Sequence, residues 1–473
     1  MESISYKMLR PIRFSIRPQS EIQEQTQEQL NLIYTAEPKE YQIPIIEKAI
    51  KEKQHCLFLE MGLGKTFIMI QTIANLKRLN KINKAIVIAP KSLLYVWGEE
   101  IEKFSRLSYS IVTGTKRQKE KALKQDKDIY LMNYESLLQD LPHQRYNLII
   151  LDESQKIKNH QAKRTRKLLN KTGLFRNVEY RYILTGTPLT NNPLDFWSQI
   201  NFVKTDYLGR SFYGFRNHYA IMGGYMKYEV IGYKDLEELE NKVSKVATIL
   251  KKKDVLKLPE KIYEKRLLDM PTEIKKQYKE MRDNFLIEFN GDTITAPVVL
   301  TKLLRFSEIT AGHYLTDQKN NEKLKELISI VKDTGTKIVI WANFIKSIKI
   351  IEEGLKDNGF NVRSIYGDVP IEERQEIVNQ FQNGDLKIVI VQLRTGSTGL
   401  TLTKGETVIY YENSFDLADR MQSEDRTHRI GTKNSPVYID LMYNRTIDSK
   451  IQNALRDKKN ITSNIINNIK DLI

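Results

Sequence analysis

Residues 56–66 read CLFLEMGLGKT, an apolar run that passes through a glycine-spaced turn into the start of an amphipathic segment. This order predicts a strand, a tight loop and a helix, a local structure that binds phosphate groups. Glycines let backbone N–H groups turn toward an anion, Lys65 adds a full positive charge, and the Thr66 hydroxyl can ligate Mg²⁺. The full Walker pattern has a further glycine where this chain has Leu59, so an ordinary turn is the alternative.

The length and composition are those of a soluble protein with two or three domains in 473 residues. No apolar run approaches the roughly 18 residues needed to cross a bilayer, and the N-terminus lacks the apolar core of a signal peptide. The single cysteine, Cys56, excludes an internal disulfide framework and a cysteine cluster for zinc. These features predict a cytoplasmic protein without membrane contact.

The chain is strongly basic. Lysine and arginine number 75 against 59 aspartates and glutamates, which gives a net charge of +16. One interpretation is a solvated lysine-rich surface encoded by an AT-rich genome. The other is a polyanionic partner, most simply nucleic acid. The charge alone favours neither.

Two stretches of the chain alternate short apolar runs with amphipathic segments, a pattern typical of doubly wound parallel α/β domains. In the first stretch the predicted strands are residues 56–59, 85–90, 128–133, 147–152 and 180–186. In the second they are residues 337–344, 361–367, 386–393, 406–412 and 436–443. Ligands of such folds lie at the carboxyl ends of the strands.

We therefore expect an N-terminal appendage (1–35) and two α/β lobes. The first lobe would span 36–256 and end in an aromatic-rich helical protrusion at about 206–256. The second would span 257–473, with a helical insertion at about 270–330 and a C-terminal helix. The basic, proline-bearing tract at 251–261 marks the boundary.

The stretch NLIILDES (147–154) places two adjacent carboxylates at the end of a predicted buried strand. Such a pair is costly to bury unless it binds something. Together with the phosphate loop, it predicts that Asp152 holds Mg²⁺, directly or through water, and that Glu153 orients and deprotonates the attacking water. For an isolated Asp-Glu pair, a solvated loop is the usual alternative.

The stretch QSEDRTHRIG (422–431) predicts a helix with Arg426 and Arg429 on one face. Guanidinium groups at this spacing suit the γ-phosphate of a nucleotide bound by the other lobe, as arginine fingers in cis. Gln422, at the start of the same stretch, joins the candidate nucleotide-binding residues. A basic helix without a ligand is the alternative explanation.

Taken in order, these blocks resemble those of superfamily-two helicases and, among them, the Snf-type DNA translocases. The resemblance covers nearly the whole chain after residue 36. The matching blocks are YQ (41–42), EMGLGKT (60–66), IAPKSLLYVWGEEIEKF (88–104), MNYESL (132–137), LDESQ (151–155), LTGTPLTNN (184–192), WANF (341–344), IYGDVPIEERQEIVNQFQ (365–382), QLRTGSTGLTL (392–402) and DRMQSEDRTHRIG (419–431). Residues 212–225, 249–261 and 300–312 match blocks that general unwinding helicases lack.

The resemblance implies an α/β fold of two RecA-like doubly wound parallel-sheet lobes with helical, aromatic-rich insertions between them. It implies ATP and Mg²⁺ as cofactors and DNA as a sequence-nonspecific partner, with duplex favoured over single strands. The nucleotide site would consist of Gln42 as the reader of adenine, Gly62, Gly64, Lys65, Thr66, Asp152, Glu153, Gln422, Arg426 and Arg429, with Thr66 and Asp152 on the metal. Thr185 and Thr187 would couple nucleotide state to DNA, and Lys91, Asn133, Arg394 and Ser397 would contact DNA.

The chain departs from the family pattern at five positions, Asn133, Ser154, Gln155, Thr401 and Thr432. None of these departures removes a predicted phosphate, metal or finger residue. The leading hypothesis is a DNA-stimulated ATPase and translocase in the cytoplasm of a bacterium or virus-infected cell, with the nucleus as the alternative location. The alternatives are a strand-separating or annealing helicase at replication or repair forks, an RNA helicase, and a nucleic-acid-binding module with a vestigial ATPase.

Overall fold

The computed structural model describes residues 33–139, 145–170, 175, 178–186, 192–223, 229–291, 296–396 and 400–456. The chain divides into two compact units, Met1–Val255 and Leu256–Ile473. Each unit has a parallel sheet of its own. None of the helices described in these ranges has the length and apolar composition needed to cross a membrane.

The first unit contains a seven-stranded parallel sheet and a separate antiparallel hairpin. Its strands are β1 (Gln54–Leu59), β2 (Ala85–Ala89), β3 (Tyr109–Val112), β4 (Ile129–Asn133), β5 (Leu148–Asp152), β6 (Tyr180–Thr185), β7 (Ala220–Gly223), β8 (Glu229–Tyr233) and β9 (Ala247–Leu250). The sheet order is β3-β4-β2-β5-β6-β1-β9, and β7 pairs with β8. Strands β2, β4, β5 and β6 are buried along their whole length, which explains why they are continuous apolar runs rather than alternating ones.

The helices of the first unit cover this sheet. They are α1 (Ile43–Glu52), α2 (Lys65–Arg78), α3 (Leu93–Phe104), α4 (Lys116–Lys124), α5 (Lys163–Leu169), α6 (Phe196–Val203), α7 (Phe212–Tyr219), α8 (Leu236–Val246) and α9 (Lys252–Val255). Helix α3 is typical of the set, because its buried residues Leu94, Trp97 and Ile101 recur at helical spacing.

The second unit contains a six-stranded parallel sheet in the order β10-β15-β14-β11-β13-β12. Its strands are β10 (Ile262–Leu268), β11 (Lys337–Ala342), β12 (Val362–Ile365), β13 (Ile388–Gln392), β14 (Gly405–Tyr410) and β15 (Val437–Tyr443). Its helices are α10 (Thr272–Gly291), α11 (Ala296–Thr310), α12 (Glu322–Asp333), α13 (Ile345–Asp357), α14 (Ile371–Asn383), α15 (Leu393–Gly396), α16 (Leu417–Thr427) and α17 (Ile447–Arg456).

The core of the second unit lies on both faces of its sheet. On one face, Ile340 and Ile409 pack with side chains of α12 and α13 such as Leu327 and Ile351. On the other face, Trp341 and its neighbours pack with side chains of α14. The predicted fold class, doubly wound parallel sheets in two lobes, is therefore confirmed.

Two strands of the first sheet were not predicted. Strand β9 lies within the segment 206–256, which we expected to be a helical protrusion, yet β9 pairs with β1 at the edge of the main sheet. The segment therefore contains strands as well as helices. Strands β3 and β9 have only four residues each, and both are partly exposed, so their apolar signal is weak.

Of the predicted appendage, residues 1–32 lie outside the described residues. The last part of it attaches to the first unit, because Ile33 N donates to Asn75 Oδ1 (3.0 Å) and Thr35 N donates to Gln71 Oε1 (3.2 Å). Both acceptors belong to α2, the helix that follows the phosphate loop.

The buried His55 side chain on β1 predicts a pH-dependent stability. Burial lowers the pKa of His55 to about 3, and its Nε2 lies 2.8 Å from Thr248 Oγ1 on β9. The unfolded chain therefore binds a proton near pH 6.5 that the folded chain does not, so stability is complete above pH 6.5 and is lost as the pH falls. Between pH 7 and 5 this one group should lower the free energy of unfolding by about 2 kcal/mol.

The measurement is denaturant unfolding at pH 7 and pH 5 for the wild type and for His55→Gln, which keeps a polar partner for Thr248 but cannot be protonated. The decrease in the free energy of unfolding from pH 7 to pH 5 should be about 2 kcal/mol smaller in the variant than in the wild type. His218→Gln, at an exposed position on α7, is the matched control. Equal losses in wild type and His55→Gln would contradict the prediction.

Candidate active site

Three adjacent strands of the first unit bring most of the predicted nucleotide residues to one edge of the sheet. Strand β6 lies between β5 and β1, and Leu184 is in register with both Asp152 on β5 and Leu57 on β1. Because all three strands are parallel, their carboxyl ends meet at one edge. The carboxylate pair, Thr185 and the glycine loop therefore lie together.

The loop after β1 has the backbone geometry of a phosphate-binding turn. Gly62 has φ +81° and Gly64 has φ +75°, the left-handed region that favours glycine. Helix α2 begins directly after Gly64, so the positive dipole end of a 14-residue helix faces the loop. Thr66, the second residue of α2, is half-buried.

Gln42, the predicted reader of adenine, contacts this loop. Its Nε2 donates to Leu63 O (3.2 Å), and its Oε1 accepts from Lys39 N (2.9 Å). A Cβ added to Gly64 would lie 2.4 Å from Gln42 Nε2, so a side chain there would displace the Gln42 amide. Both ends of the amide are thus engaged, the nitrogen with the loop and the oxygen with the backbone of Lys39. Recognition of adenine through this amide would have to replace these bonds, and it stays a prediction.

Lys65 lies across the ends of β1 and β6. Its Nζ donates to Leu59 O (2.9 Å), and a Cβ added to Gly186 would lie 3.3 Å from that nitrogen and 2.5 Å from Met61 Cγ. Gly186 directly follows β6, so its missing side chain leaves room for the lysine. The cation is thereby placed at the edge where the carboxylates lie.

Asp152 is a buried carboxylate that accepts two hydrogen bonds. Trp97 Nε1 donates to Oδ2 (2.9 Å), and Glu153 N donates to Oδ1 (2.9 Å). Burial raises the pKa of Asp152, the neighbouring Glu153 charge raises it further, and the charge of Lys65 opposes both. A cation placed against Asp152 would relieve this cost, which is the property expected of a metal ligand.

Glu153 is linked to the end of β6 through Gln155. Gln155 Nε2 donates to Glu153 Oε2 (2.6 Å), and Thr185 Oγ1 donates to Gln155 Oε1 (3.1 Å). The backbone of Glu153 is left-handed (φ +50°), an uncommon conformation for this residue. In the sequence Gln155 stands out only as a departure from the family pattern, and its role was missed. Thr187, the second predicted coupling residue, lies outside the described residues.

The predicted nucleic-acid residues are divided between the units. In the first, Ala89 on β2 is in register with Asn133 on β4, so Lys91, which is exposed just after β2, and Asn133 lie at neighbouring strand ends. Asn133 is buried, and its amide is bonded to Glu135 and Ser136. In the second unit, Arg394 is exposed on α15, and Ser397 lies outside the described residues.

The helix that carries the predicted arginine fingers is shorter than expected. Helix α16 ends at Thr427, so Arg429 is not on its face, and that part of the prediction was wrong. Thr432 Oγ1 lies 2.8 Å from Thr427 O and accepts from Arg429 N (3.1 Å), which replaces the helical pattern. Gly431, which has φ +101°, then turns the chain away from the direction of α16.

The two arginines nevertheless lie against the same short segment. Arg426 Nη1 donates to Leu400 O (3.3 Å), and Arg429 Nη1 donates to Thr401 Oγ1 (3.0 Å). Thr401 and Thr432, both departures from the family pattern, are thus the residues that hold Arg429. Gln422 is buried on α16, one turn before Arg426.

A buried ion network fixes α16 to the sheet of the second unit. Arg420 donates to Asp440 on β15 from Nη1 (2.6 Å) and Nη2 (3.2 Å), and from Nε to Glu424 (2.8 Å). Its guanidinium lies 3.5 Å from the ring centroid of Tyr410 on β14. Gln452 of α17 donates to the same Asp440 (2.7 Å). The network therefore positions the helix on which Gln422 and Arg426 lie.

Removing one partner of this network should be strongly destabilising. Asp440→Ala leaves the buried Arg420 charge without its bidentate partner, and we expect a loss of about 3–5 kcal/mol in the free energy of unfolding. The measurement is urea unfolding. Glu373→Ala, which removes a carboxylate from the exposed Arg363–Glu373 pair, is the control and should cost less than about 1 kcal/mol. Similar losses for the two variants would contradict the interpretation.

The residues at this edge fit a magnesium nucleotide. In the described part of the chain no group of three or more histidine, cysteine, aspartate or glutamate residues could hold a metal ion by itself. Mg²⁺ is usually bound through one or two protein ligands together with substrate phosphates and waters. The hydroxyl of Thr66 and the carboxylate of Asp152 are ligands of that kind.

Two protein-family models match this chain. The model described as SNF2-related domain matches residues 31–328, and the model described as Helicase conserved C-terminal domain matches residues 319–431. YwqA of Bacillus subtilis, provisionally assigned as an ATP-dependent helicase/translocase, is 28% identical over 437 residues, which are 87% of this chain and 46% of YwqA. The human DNA annealing helicase and endonuclease ZRANB3 is 26% identical over 444 residues, which are 90% of this chain and 40% of ZRANB3.

The chain thus spans less than half the length of these curated relatives. Among solved structures, the Sulfolobus solfataricus SWI2/SNF2 ATPase core in complex with dsDNA is similar, with 27% identity and a TM-score of 0.45. The similarity covers 92% of this chain and 94% of that one.

Proposed function

The chain belongs to the SNF2-related family, and on that premise we propose that it is a motor that hydrolyses ATP when bound to DNA and moves along the duplex. The observation that carries the proposal is the meeting of the glycine loop, Lys65 and the Asp152–Glu153 pair at one edge of the first sheet. A phosphate-binding turn next to a buried carboxylate and a second carboxylate is what nucleotide hydrolysis needs.

In this proposal the first unit binds the nucleotide. The N–H groups of the loop around Gly62 and Gly64 and the ammonium of Lys65 bind the phosphates, and Thr66 and Asp152 hold Mg²⁺. The metal would neutralise charge on the phosphate oxygens. Glu153 orients and deprotonates the attacking water, and its bond to Gln155 restricts the position of the carboxylate. Gln42 holds the loop and, on the family resemblance, reads adenine.

The second unit contributes the arginines. Arg426 and Arg429 would stabilise the charge that develops on the γ-phosphate, a contribution of about 10³-fold or more in turnover where such fingers have been removed. Gln422 would contact the same nucleotide. The contacts of Arg426 with Leu400 and of Arg429 with Thr401 hold both side chains against one short segment. Thr185 would couple the state of the nucleotide to DNA through its bond to Gln155.

The proposed nucleic acid is duplex DNA bound mainly through its phosphates. The net charge of +16 and the exposed side chains of Lys91 and Arg394 support a polyanionic binding partner. The description of the relative ZRANB3 as a DNA annealing helicase favours DNA over RNA as that polyanion. Phosphate contacts carry no sequence information, so binding should be nonspecific and should weaken steeply as salt rises.

The experiment that tests this function measures steady-state ATP turnover without nucleic acid and with duplex DNA, single-stranded DNA or RNA of equal length. We expect the largest stimulation with duplex DNA. The stimulation should be independent of sequence and should require higher DNA concentrations at about 200 mM than at about 50 mM salt, because the release of counterions gains less free energy in the more concentrated salt. Stimulation by RNA alone would contradict the proposal and favour an RNA helicase.

Replacement of Glu153 by Gln gives a second test. The amide cannot accept the proton of the attacking water, so turnover should fall by roughly 10²–10⁴-fold while nucleotide binding persists. Turnover and the affinity for a fluorescent ATP analogue are the two measurements. Glu179→Gln, at an exposed position bonded to Lys53, is the control and should behave as wild type. Unchanged turnover in Glu153→Gln would contradict the proposal, because hydrolysis would then not depend on this carboxylate.

One relative favours a second candidate function. The ZRANB3 name describes a DNA annealing helicase, which suggests remodelling of forked DNA. A labelled fork and a pair of complementary strands coated with a single-strand-binding protein distinguish the two functions. A translocase alone should neither displace nor anneal strands, whereas a fork-remodelling enzyme should do so with ATP.

A further inference from the structure

The chain leaves the first unit at a point anchored to the phosphate loop. Lys252 N, the first amide of α9, donates to Glu60 Oε2 (2.8 Å). Glu60 N in turn donates to Leu250 O, the last residue of β9 (3.0 Å). Glu60 is the residue that follows β1 and opens the loop of Gly62 and Gly64. The end of the first unit is therefore bonded from both directions to the start of the loop.

The chain then enters the second unit at a point anchored to the arginine segment. His428 Nε2 lies 2.8 Å from Pro259 O, and His428 directly precedes Arg429. Lys261 Nζ (2.8 Å) and Tyr263 OH (2.7 Å) both donate to Glu424 Oε2 on α16. Glu424 is buried and is also bonded by Arg420, so its carboxylate is a fixed anchor.

We propose that residues 252–263 are a coupling tether, whose two anchors set where Arg426 and Arg429 can act relative to the phosphate loop. Six residues, 253–258, separate the anchoring amide of Lys252 from Pro259. Even fully extended, the seven peptide steps from Lys252 to Pro259 reach about 25 Å. The inference rests on the proposed function and goes beyond it, because it assigns a positioning role to Glu60, Glu424 and His428.

The tether acts in two ways. It keeps the arginines at a high effective concentration near the phosphate loop, and it limits the positions that they can occupy. A short connection keeps two groups at a high local concentration, which falls roughly as the −3/2 power of the length of a flexible linker. Anchors that are hydrogen-bonded at defined atoms also limit the positions that the arginines reach, and small misplacements of catalytic groups are costly. Long or loosened tethers should therefore lower turnover without changing how tightly the first unit binds nucleotide.

Ordinary packing at a domain boundary is the competing explanation for these contacts. If they only stabilise each unit, weakening them should lower the free energy of unfolding. Lengthening the chain between them should have no effect on turnover. The tether predicts the opposite result, because a longer connection leaves every anchoring side chain in place.

The decisive experiment inserts eight residues of glycine and serine between Val255 and Leu256, in the otherwise intact chain. This roughly doubles the free length, so we expect kcat for DNA-stimulated ATP hydrolysis to fall about threefold or more. The dissociation constant for a fluorescent ATP analogue and the thermal unfolding profile should match those of the wild type. The same insertion after Gly335, an exposed position between α12 and β11, is the control and should leave kcat unchanged.

A double variant, Lys261→Met with Tyr263→Phe, loosens the second anchor by removing its two bonds to Glu424, while side-chain size and the pairing of β10 with β15 are kept. This double variant should lower kcat. Combining it with the insertion should lower kcat little further, because both changes act on the same coupling tether. An unchanged kcat after the insertion would overturn the proposal, as would full additivity of the two changes. Wild-type turnover is measured alongside, so an absence of ATP hydrolysis in every protein would refute the proposed function instead.

Discussion

The parallel register of β5, β6 and β1 is the constraint on which the candidate site depends. Since Asp152 and Leu57 are both paired with Leu184, the three strands end at nearly the same level. A carboxylate pair, a threonine and a glycine loop from separate parts of the sequence are thereby brought to one edge. A slip of one residue in either pairing would turn side chains to the opposite face of the sheet and separate these groups.

Much of this arrangement could be predicted from the sequence, because buried parallel strands are continuous apolar runs that are easy to recognise. The runs around Cys56, Ile149 and Ile183 all proved to be strands, and each is followed by a predicted site residue. The loop could be predicted for a related reason. Few residues other than glycine adopt the positive φ of positions 62 and 64, so the spacing of Gly62 and Gly64 carries structural information.

The rest depends on tertiary contacts that leave little trace in local sequence. Helix α16 ends at Thr427 because Thr432 bonds back to it, which the helical spacing of Arg426 and Arg429 could not reveal. The bond from Gln155 to Glu153 and the bond from Arg429 to Thr401 each involve a residue whose identity departs from the family pattern. Such departures are the one signal in the sequence that could have directed attention to these positions.

The proposed function requires that Glu153 in the first unit and Arg429 in the second act on the same nucleotide. A double-mutant cycle with Glu153→Asp and Arg429→Lys, read as kcat for DNA-stimulated ATP hydrolysis, tests it most directly. Groups that stabilise one transition state act as a unit, so the double variant should be little slower than the slower single variant. If the two losses multiply in full, the residues act independently, and the account of a single divided site is contradicted.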